Sequence, residues 1–334
     1  MKRALFSIRP VPPFDFDLTA GYITYFRGRY ATDIFENGVY RRLLRLSGGL
    51  ALLSVRSTGT VDSPTLAAEV QSDCLDEEMI VEARESAAWL LGTDDDLTPF
   101  YRMAAADPYL PPVVKGMHGL HITHTATAPE ALVLAILGQQ ISTHVARMLR
   151  NLITETHGDS LVVDGEVYRA FPSPQRLADA GIEGLRKIKF SRRKSEYISD
   201  ISRQIASGAL DLECLRHQPA EDVVKLLTKI RGIGPWTAHW LLIRALGYSD
   251  GFPHGDLAME RMMAMLVNGS TDSSSPSSPM TSPMSSPMTS KEASAFSERW
   301  SPFRSYVTTY IFGASRSGRF EELVKGVHKP RREA

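Results

Sequence analysis

Two apolar helical stretches meet at Ile230-Arg231-Gly232-Ile233-Gly234-Pro235, and no other part of the chain restricts the fold so tightly. Upstream, Val223, Val224, Leu226 and Leu227 give a short helix its apolar face. Pro235 suits a first helical position, because its missing N–H would find no intrahelical partner there. Trp236, Trp240, Ile243 and Leu246 then recur at helical spacing, and Gly247 supplies a C-terminal stop. The hairpin 221–247 thus joins two helices by a glycine-punctuated turn with several unpaired backbone N–H groups, which is a seat for an anion or phosphate. Past it, the loop 251–257 carries Gly255-Asp256, a carboxylate in a turn before the apolar stretch Leu257 to Val267.

A chain of 334 residues has room for two or three domains. Two cysteines, Cys74 and Cys214, cannot build a disulfide framework or a Cys-ligated cluster, and the absence of HExxH or CxxC spacing argues against a catalytic transition metal. Nothing approaches a membrane span, and the apolar run in MKRALFSIRPVPP is too short for a signal peptide. An intracellular protein is therefore expected, in the cytoplasm or nucleoid, or in the nucleus of a eukaryote. The formal net charge of zero weighs against a nucleic-acid partner, but the charge is segregated. Arg186–Lys194 and Lys325–Arg332 are basic; Asp73–Glu85 and Asp94–Asp96 are acidic. A basic face on a neutral protein is compatible with DNA, although such a run is also commonly a solvated helix face.

The overall pattern is α+β. Residues 1–96 read as a mixed α/β domain. Phe14 to Leu18 alternates like a strand, Ala20 to Arg29 has helical aromatic spacing, and Glu77 to Leu91 predicts a helix. Val39–Leu46 and Leu50–Arg56 flank Gly48-Gly49 as a hairpin. Residues 97–334 read as all-α. Ala131 to Leu137 is an apolar helix interrupted at Gly138-Gln139-Gln140, and another runs from Ser142 to Thr156. Phe171 to Gln175 breaks the chain before a helix over 176–180, and the basic run leads into a helix through Tyr197, Ile201 and Ile205. Residues 269–290 are Ser/Pro/Thr-rich with no apolar face to bury, so a disordered insertion is expected there. Glu298 to Tyr306 opens a last helix reaching Phe312.

IRGIGPWTAHW followed by the G-D turn resembles the helix–hairpin–helix, glycine/proline-rich loop and aspartate signature of DNA base-excision glycosylases. Within that superfamily the chain most resembles the DNA-3-methyladenine glycosylase II family. FDFDLTAGYITYF resembles the small TATA-binding-protein-like domain at the family's N-terminus, AILGQQIST its DNA-facing loop, and RWSPFRSY its final helix. The resemblance spans most of the chain outside 269–290. It implies a monomeric enzyme of base excision repair that removes alkylated purines such as 3-methyladenine from double-stranded DNA.

The resemblance also assigns residues. Asp256 is the candidate catalytic group, since a carboxylate beside C1′ stabilises an oxocarbenium-like state and can orient the attacking water. One carboxylate suffices when the leaving base is already cationic. An aspartate before an apolar helix is also an ordinary N-cap, and the two roles are compatible in part. The nucleotide must be extruded into a pocket. Trp236, Trp240 and Phe312 match the family's aromatic pocket positions, where each cation–π contact is worth about 0.5–2 kcal/mol; core packing accounts for such a stripe equally well. Gln140 stands where relatives push a side chain into the duplex, although wedges are usually apolar and a polar loop cap is the alternative. The amides of Gly232 and Gly234 and the side chains of Arg192 and Arg193 are expected on phosphates. The family's hairpin can also hold a structural Na+ or K+ through carbonyls, here those of Thr228, Ile230 and Gly232, and no other cofactor is expected. Bifunctional relatives use a lysine for a Schiff base where this chain has Trp236, which implies hydrolysis without strand cleavage. The rival readings are a glycosylase for oxidised or mismatched bases and a non-catalytic DNA-binding module in which Asp256 only caps a helix.

Overall fold

The structure is a computed structural model and describes residues 1–268 and 287–327. Six antiparallel strands form the N-terminal sheet: β1 (Lys2–Ile8), β2 (Arg29–Tyr30), β3 (Asp33–Glu36), β4 (Val39–Leu46), β5 (Gly49–Ser57) and β6 (Leu66–Ser72). Their order is β1-β6-β5-β4-β3-β2. Inward residues such as Phe6, Leu53, Val55 and Val70 bury one face under α1 (Phe16–Ile23) and α2 (Glu77–Leu91).

Phe14 to Leu18 is not a strand. Asp15 accepts the Leu18 amide at 2.9 Å and caps α1, so Phe14 and Phe16 reach the same apolar layer from a helix start. Nor does the helix continue to Arg29. Thr24 donates its hydroxyl to the Gly21 carbonyl, and Tyr25 and Phe26 turn left-handed at φ 56° and 54°. The β4–β5 hairpin forms with its turn one residue early: Leu46 pairs with Gly49, leaving Ser47-Gly48 as the two-residue loop.

The helices that follow are α3 (Thr98–Ala106), α4 (Pro111–Gly116), α5 (Ala128–Gly138), α6 (Thr143–His157), α7 (Pro174–Lys187), α8 (Arg192–Ala206), α9 (Ala220–Leu227), α10 (Pro235–Arg244), α11 (Leu257–Asn268), α12 (Ser290–Ser297), α13 (Arg304–Arg316) and α14 (Phe320–Val327). They build two apolar cores. Leu132, Ile136, Ile198, Leu227, Leu241 and their neighbours from α5 to α10 make one; Phe100, Met263, Trp300 and Tyr310, from α3, α11 and the α13 region, belong to the other. The helix α10 serves both, because Ala238, Leu241 and Leu242 enter the first core while Trp240 packs on the second. The seam between the cores therefore runs along α10.

The region after Leu97 is not purely helical. β7 (Ser160–Val163) and β8 (Glu166–Arg169) form a hairpin around Asp164-Gly165, and Val163 and Tyr168 pack on Leu43 and Leu52 behind the N-terminal sheet. The D-G turn in SLVVDGEVYR is the local signal for it. A buried ion network ties that sheet to the helices. Arg42 of β4 reaches Asp33 at 2.7 Å and Glu130 of α5 at 2.6 Å, and all three are at most 7% exposed.

Of the expected disordered insertion, 269–286 lies outside the described residues, as does the chain from 328. Residues 287–290 belong to the fold instead. Met288 packs on the second core, and Thr289 caps α12 through a reciprocal box with Glu292. Among the described residues no helix is long and apolar enough to cross a membrane.

Candidate active site

Asp256 enters α11 and makes two kinds of contact. Its Oδ1 accepts the Ala258 and Met259 amides at 3.0 and 3.1 Å, which caps the helix, while Oδ2 accepts the Trp236 indole N–H at 2.9 Å. The cap fixes the carboxylate in orientation, and a helix N-terminus favours negative charge there. Glu260, one turn further, is buried. Burial first, and then the charge of Asp256, raise its pKa.

The three predicted pocket aromatics meet. Trp236 and Trp240 pack edge to face with centroids 6.3 Å apart, and Trp240 meets Phe312 of α13 at 5.5 Å. They form one wall leading from Asp256 into the second core, where Phe312 is only 8% exposed.

Gly232 has φ 95°, and a Cβ there would lie 2.5 Å from the Tyr197 ring, so the turn requires glycine on two counts. A Cβ at Gly234, the residue before Pro235, would meet nothing within 4 Å. Among the described residues the amides of Gly232 and Gly234 donate to no backbone carbonyl. Gln140 stands exposed at the tip of the α5–α6 loop with φ 56°. Two residues without a separate role in the sequence pattern hold that tip. Gln139 donates to the Gly232 carbonyl at 2.9 Å and the Thr237 hydroxyl at 3.0 Å. Lys194 of α8 donates to the carbonyls of Leu137 and Gln139 at 2.7 and 2.9 Å. Lys194 is thus turned inward onto the end of α5, whereas Arg192, paired with Glu196 at 3.1 Å, and Arg193 are exposed. Removing two hydrogen bonds from the tip with Gln139→Ala should slow base release about tenfold while leaving affinity for undamaged duplex within about twofold. Single-turnover kinetics beside a binding titration check this.

The loop 251–257 is anchored from α13. Arg304 grips Asp250 through Nε and Nη2, each at 2.8 Å. Ser305 Oγ accepts the Gly251 amide at 2.8 Å and donates to the Tyr248 carbonyl at 2.6 Å. No local spacing could reveal these pairs, because the partners lie on opposite sides of the Ser/Pro segment.

The chain is 32% identical over 305 residues to a DNA-3-methyladenine glycosylase of Bacillus subtilis, covering 90% of this chain and 93% of that one. Residues 133–279 match the model of the HhH-GPD superfamily base excision DNA repair proteins. The chain belongs to this helix–hairpin–helix glycosylase family. Among solved structures, a 3-methyladenine DNA-glycosylase from Archaeoglobus fulgidus has a TM-score of 0.78 at 24% identity, covering 93% of this chain and 98% of that one. An 8-oxoguanine glycosylase/lyase from Clostridium acetobutylicum, in complex with double-stranded DNA, has a TM-score of 0.67 at 18% identity, covering 94% and 98%. Both likenesses are of fold. Since those two glycosylases differ in named chemistry, the choice for this chain has to come from its own site residues.

Proposed function

We propose that the protein is a monofunctional DNA glycosylase that hydrolyses the N-glycosidic bond of alkylated purines, of the 3-methyladenine type, in double-stranded DNA during base excision repair. The contact between Trp236 and Asp256 carries this reading, since it sets an electron-rich ring and a carboxylate side by side. No lysine lies between Ile230 and Asp256 to form a Schiff base.

The mechanism follows from charge. The flipped nucleotide enters against Trp236, Trp240 and Phe312, whose faces attract a cationic base. As the C1′–N bond breaks, its electron pair leaves with the base and neutralises it, and positive charge builds on the sugar. Asp256 stabilises that charge, and water then adds at C1′. The hairpin amides at Gly232 and Gly234, with Arg192 and Arg193, hold phosphates, while Gln140 fills the gap left in the stack. A monovalent cation on the carbonyls of Thr228, Ile230 and Gly232 would brace the turn. The latter two carbonyls already accept the Ile233 amide and Gln139, and each keeps a second lone pair. A monomer working in the compartment that holds its DNA completes the reading.

Duplexes carrying 3-methyladenine, hypoxanthine or 8-oxoguanine test it. The expected result is release of free 3-methyladenine with strands intact until heat or alkali is applied. Nicking during the incubation would contradict hydrolysis without lyase chemistry, and no release from any duplex would leave only a binding module. Arg192→Ala with Arg193→Ala should flatten the slope of log affinity against log salt by about 1 to 2. An unchanged slope would make this run a solvated face.

A further inference from the structure

Asp256 has a second carboxylate behind it. Glu260 sits one turn along α11 and is 5% exposed, on a helix whose other buried residues are four apolar side chains and an alanine. A carboxyl group in such a face costs stability that an aliphatic side chain would not. Its Oε1 is buried without a hydrogen-bond partner. What offsets that cost is the turn that aims Asp256. Gly255 has φ 84°, and the direction in which the chain enters α11 is set there. The Asp256 amide donates to the Pro253 carbonyl at 3.1 Å, and the Asp256 carbonyl accepts the Glu260 amide at 2.9 Å. The Gly255 amide faces the Glu260 carboxylate and favours its charged form. In a capping box the acidic side chain stands at the third helical position and reaches the amide of the cap residue itself. Glu260 stands one position later and serves the residue before the cap, because the amide of Asp256 is already taken by Pro253.

The same carboxylate reaches the chain beyond the Ser/Pro segment. The Ser290 hydroxyl, at the start of α12, donates to it. A Cβ at Gly255 would lie 3.8 Å from the Ser290 Oγ, so this hydroxyl stands directly against the turn. The Met288 amide donates to the Glu260 carbonyl at 3.4 Å, and the Met288 side chain packs on the second core. Burial and the charge of Asp256 oppose ionisation of Glu260, whereas the Gly255 amide, His254 and the Ser290 hydroxyl favour it. The groups on the favourable side are the catalytic loop and α12, and Glu260 joins the two.

We propose that Glu260 is a positioning residue for base release, which with Ser290 clamps the Gly255-Asp256 turn and so holds the Asp256 carboxylate in its working direction. This rests on the glycosylase reading above. The part of Glu260 in the reaction passes through Asp256. A carboxylate that stabilises charge on a sugar has to be held in place, because a small displacement of a reacting group costs rate far more than it costs binding. The cap contacts of Oδ1 fix the Asp256 side chain relative to α11, and Glu260 fixes the turn by which the loop enters that helix.

Single-turnover release of 3-methyladenine tests this, with rates taken per enzyme that binds an abasic duplex so that an unfolded fraction does not count. Glu260→Leu, which suits the apolar face and removes both contacts, should slow release about 30-fold while affinity for the abasic duplex stays within about twofold. Glu260→Gln, whose carbonyl oxygen can still take the Gly255 amide, should recover most of that loss. Ser290→Ala should slow release about fivefold. The last step repeats Glu260→Leu in the Asp256→Asn enzyme. A residue that acts through Asp256 has nothing left to position there, so the added substitution should slow the remaining release by less than about twofold. A loss that multiplies in full, or Glu260→Leu enzyme that releases base at the wild-type rate, would overturn the proposal alone and leave Glu260 a buried cap. Asp256→Asn enzyme within about tenfold of wild type, or a wild type that releases no base, would remove the reading above together with it.

Discussion

Asp256→Asn should lower single-turnover base release by about 10³-fold or more while leaving the fold and DNA affinity in place. The two contacts of Asp256 explain why the effect should be so selective. Asparagine is as good an N-cap as aspartate, so its carbonyl oxygen can still take the Ala258 and Met259 amides that Oδ1 takes now. The other oxygen becomes an amide that cannot accept from the Trp236 indole and carries no charge. The substitution therefore removes the charge and the Trp236 hydrogen bond while keeping the helix cap. Melting temperature and affinity for an abasic duplex should stay close to wild type. Release within about tenfold of wild type would return Asp256 to a purely structural cap.

Arg42→Met should destabilise the protein by about 3–5 kcal/mol, because it leaves two buried carboxylates without their cation. Asp33 and Glu130 both lie within 2.7 Å of that guanidinium. Burial already raises the Glu130 pKa while Arg42 pulls it down, so losing Arg42 pushes it higher. A carboxylate whose folded pKa exceeds its unfolded value favours folding at low pH and opposes it as pH rises through the folded value. The deficit should thus be full only above the folded value and shrink as pH falls towards about 4. Adding Asp33→Asn and Glu130→Gln should recover much of it at neutral pH. Urea unfolding across pH measures this, and a loss below about 1 kcal/mol for Arg42→Met would show that the network adds little. The effect bears on function because Glu130 lies on α5, the helix that ends at the Gln139-Gln140 loop.

What could be read from the chain beforehand was mostly local. Pro235, the glycines at 232 and 234, and the spacing of Trp236 and Trp240 are short-range signals, and each describes backbone geometry or one helix face. They placed the hairpin, and the turn before α11 placed Asp256. The failures share another character. Phe14 to Leu18 alternates, yet the Asp15 side chain caps a helix there, and capping outweighs two-residue periodicity over so short a run. SLVVDGEVYR is a hairpin by its own turn chemistry, although the sequence around it is helical in pattern. Lys194 reads as one more positive charge in SRRK; only the folded chain turns it onto the end of α5. Glu260 and Ser290 meet from opposite sides of the Ser/Pro segment, and no spacing on either side announces the other.

The central claim is that Asp256 works by charge against an oxocarbenium-like sugar. Its most direct test compares affinity for two duplexes, one with a cationic pyrrolidine in place of the lesion sugar and one with a neutral tetrahydrofuran. Wild-type enzyme should bind the pyrrolidine duplex about 100-fold or more tightly, as expected of a transition-state mimic, and Asp256→Asn should bind the two alike. Equal affinities in the wild type, or a preference that survives the substitution, would contradict the account.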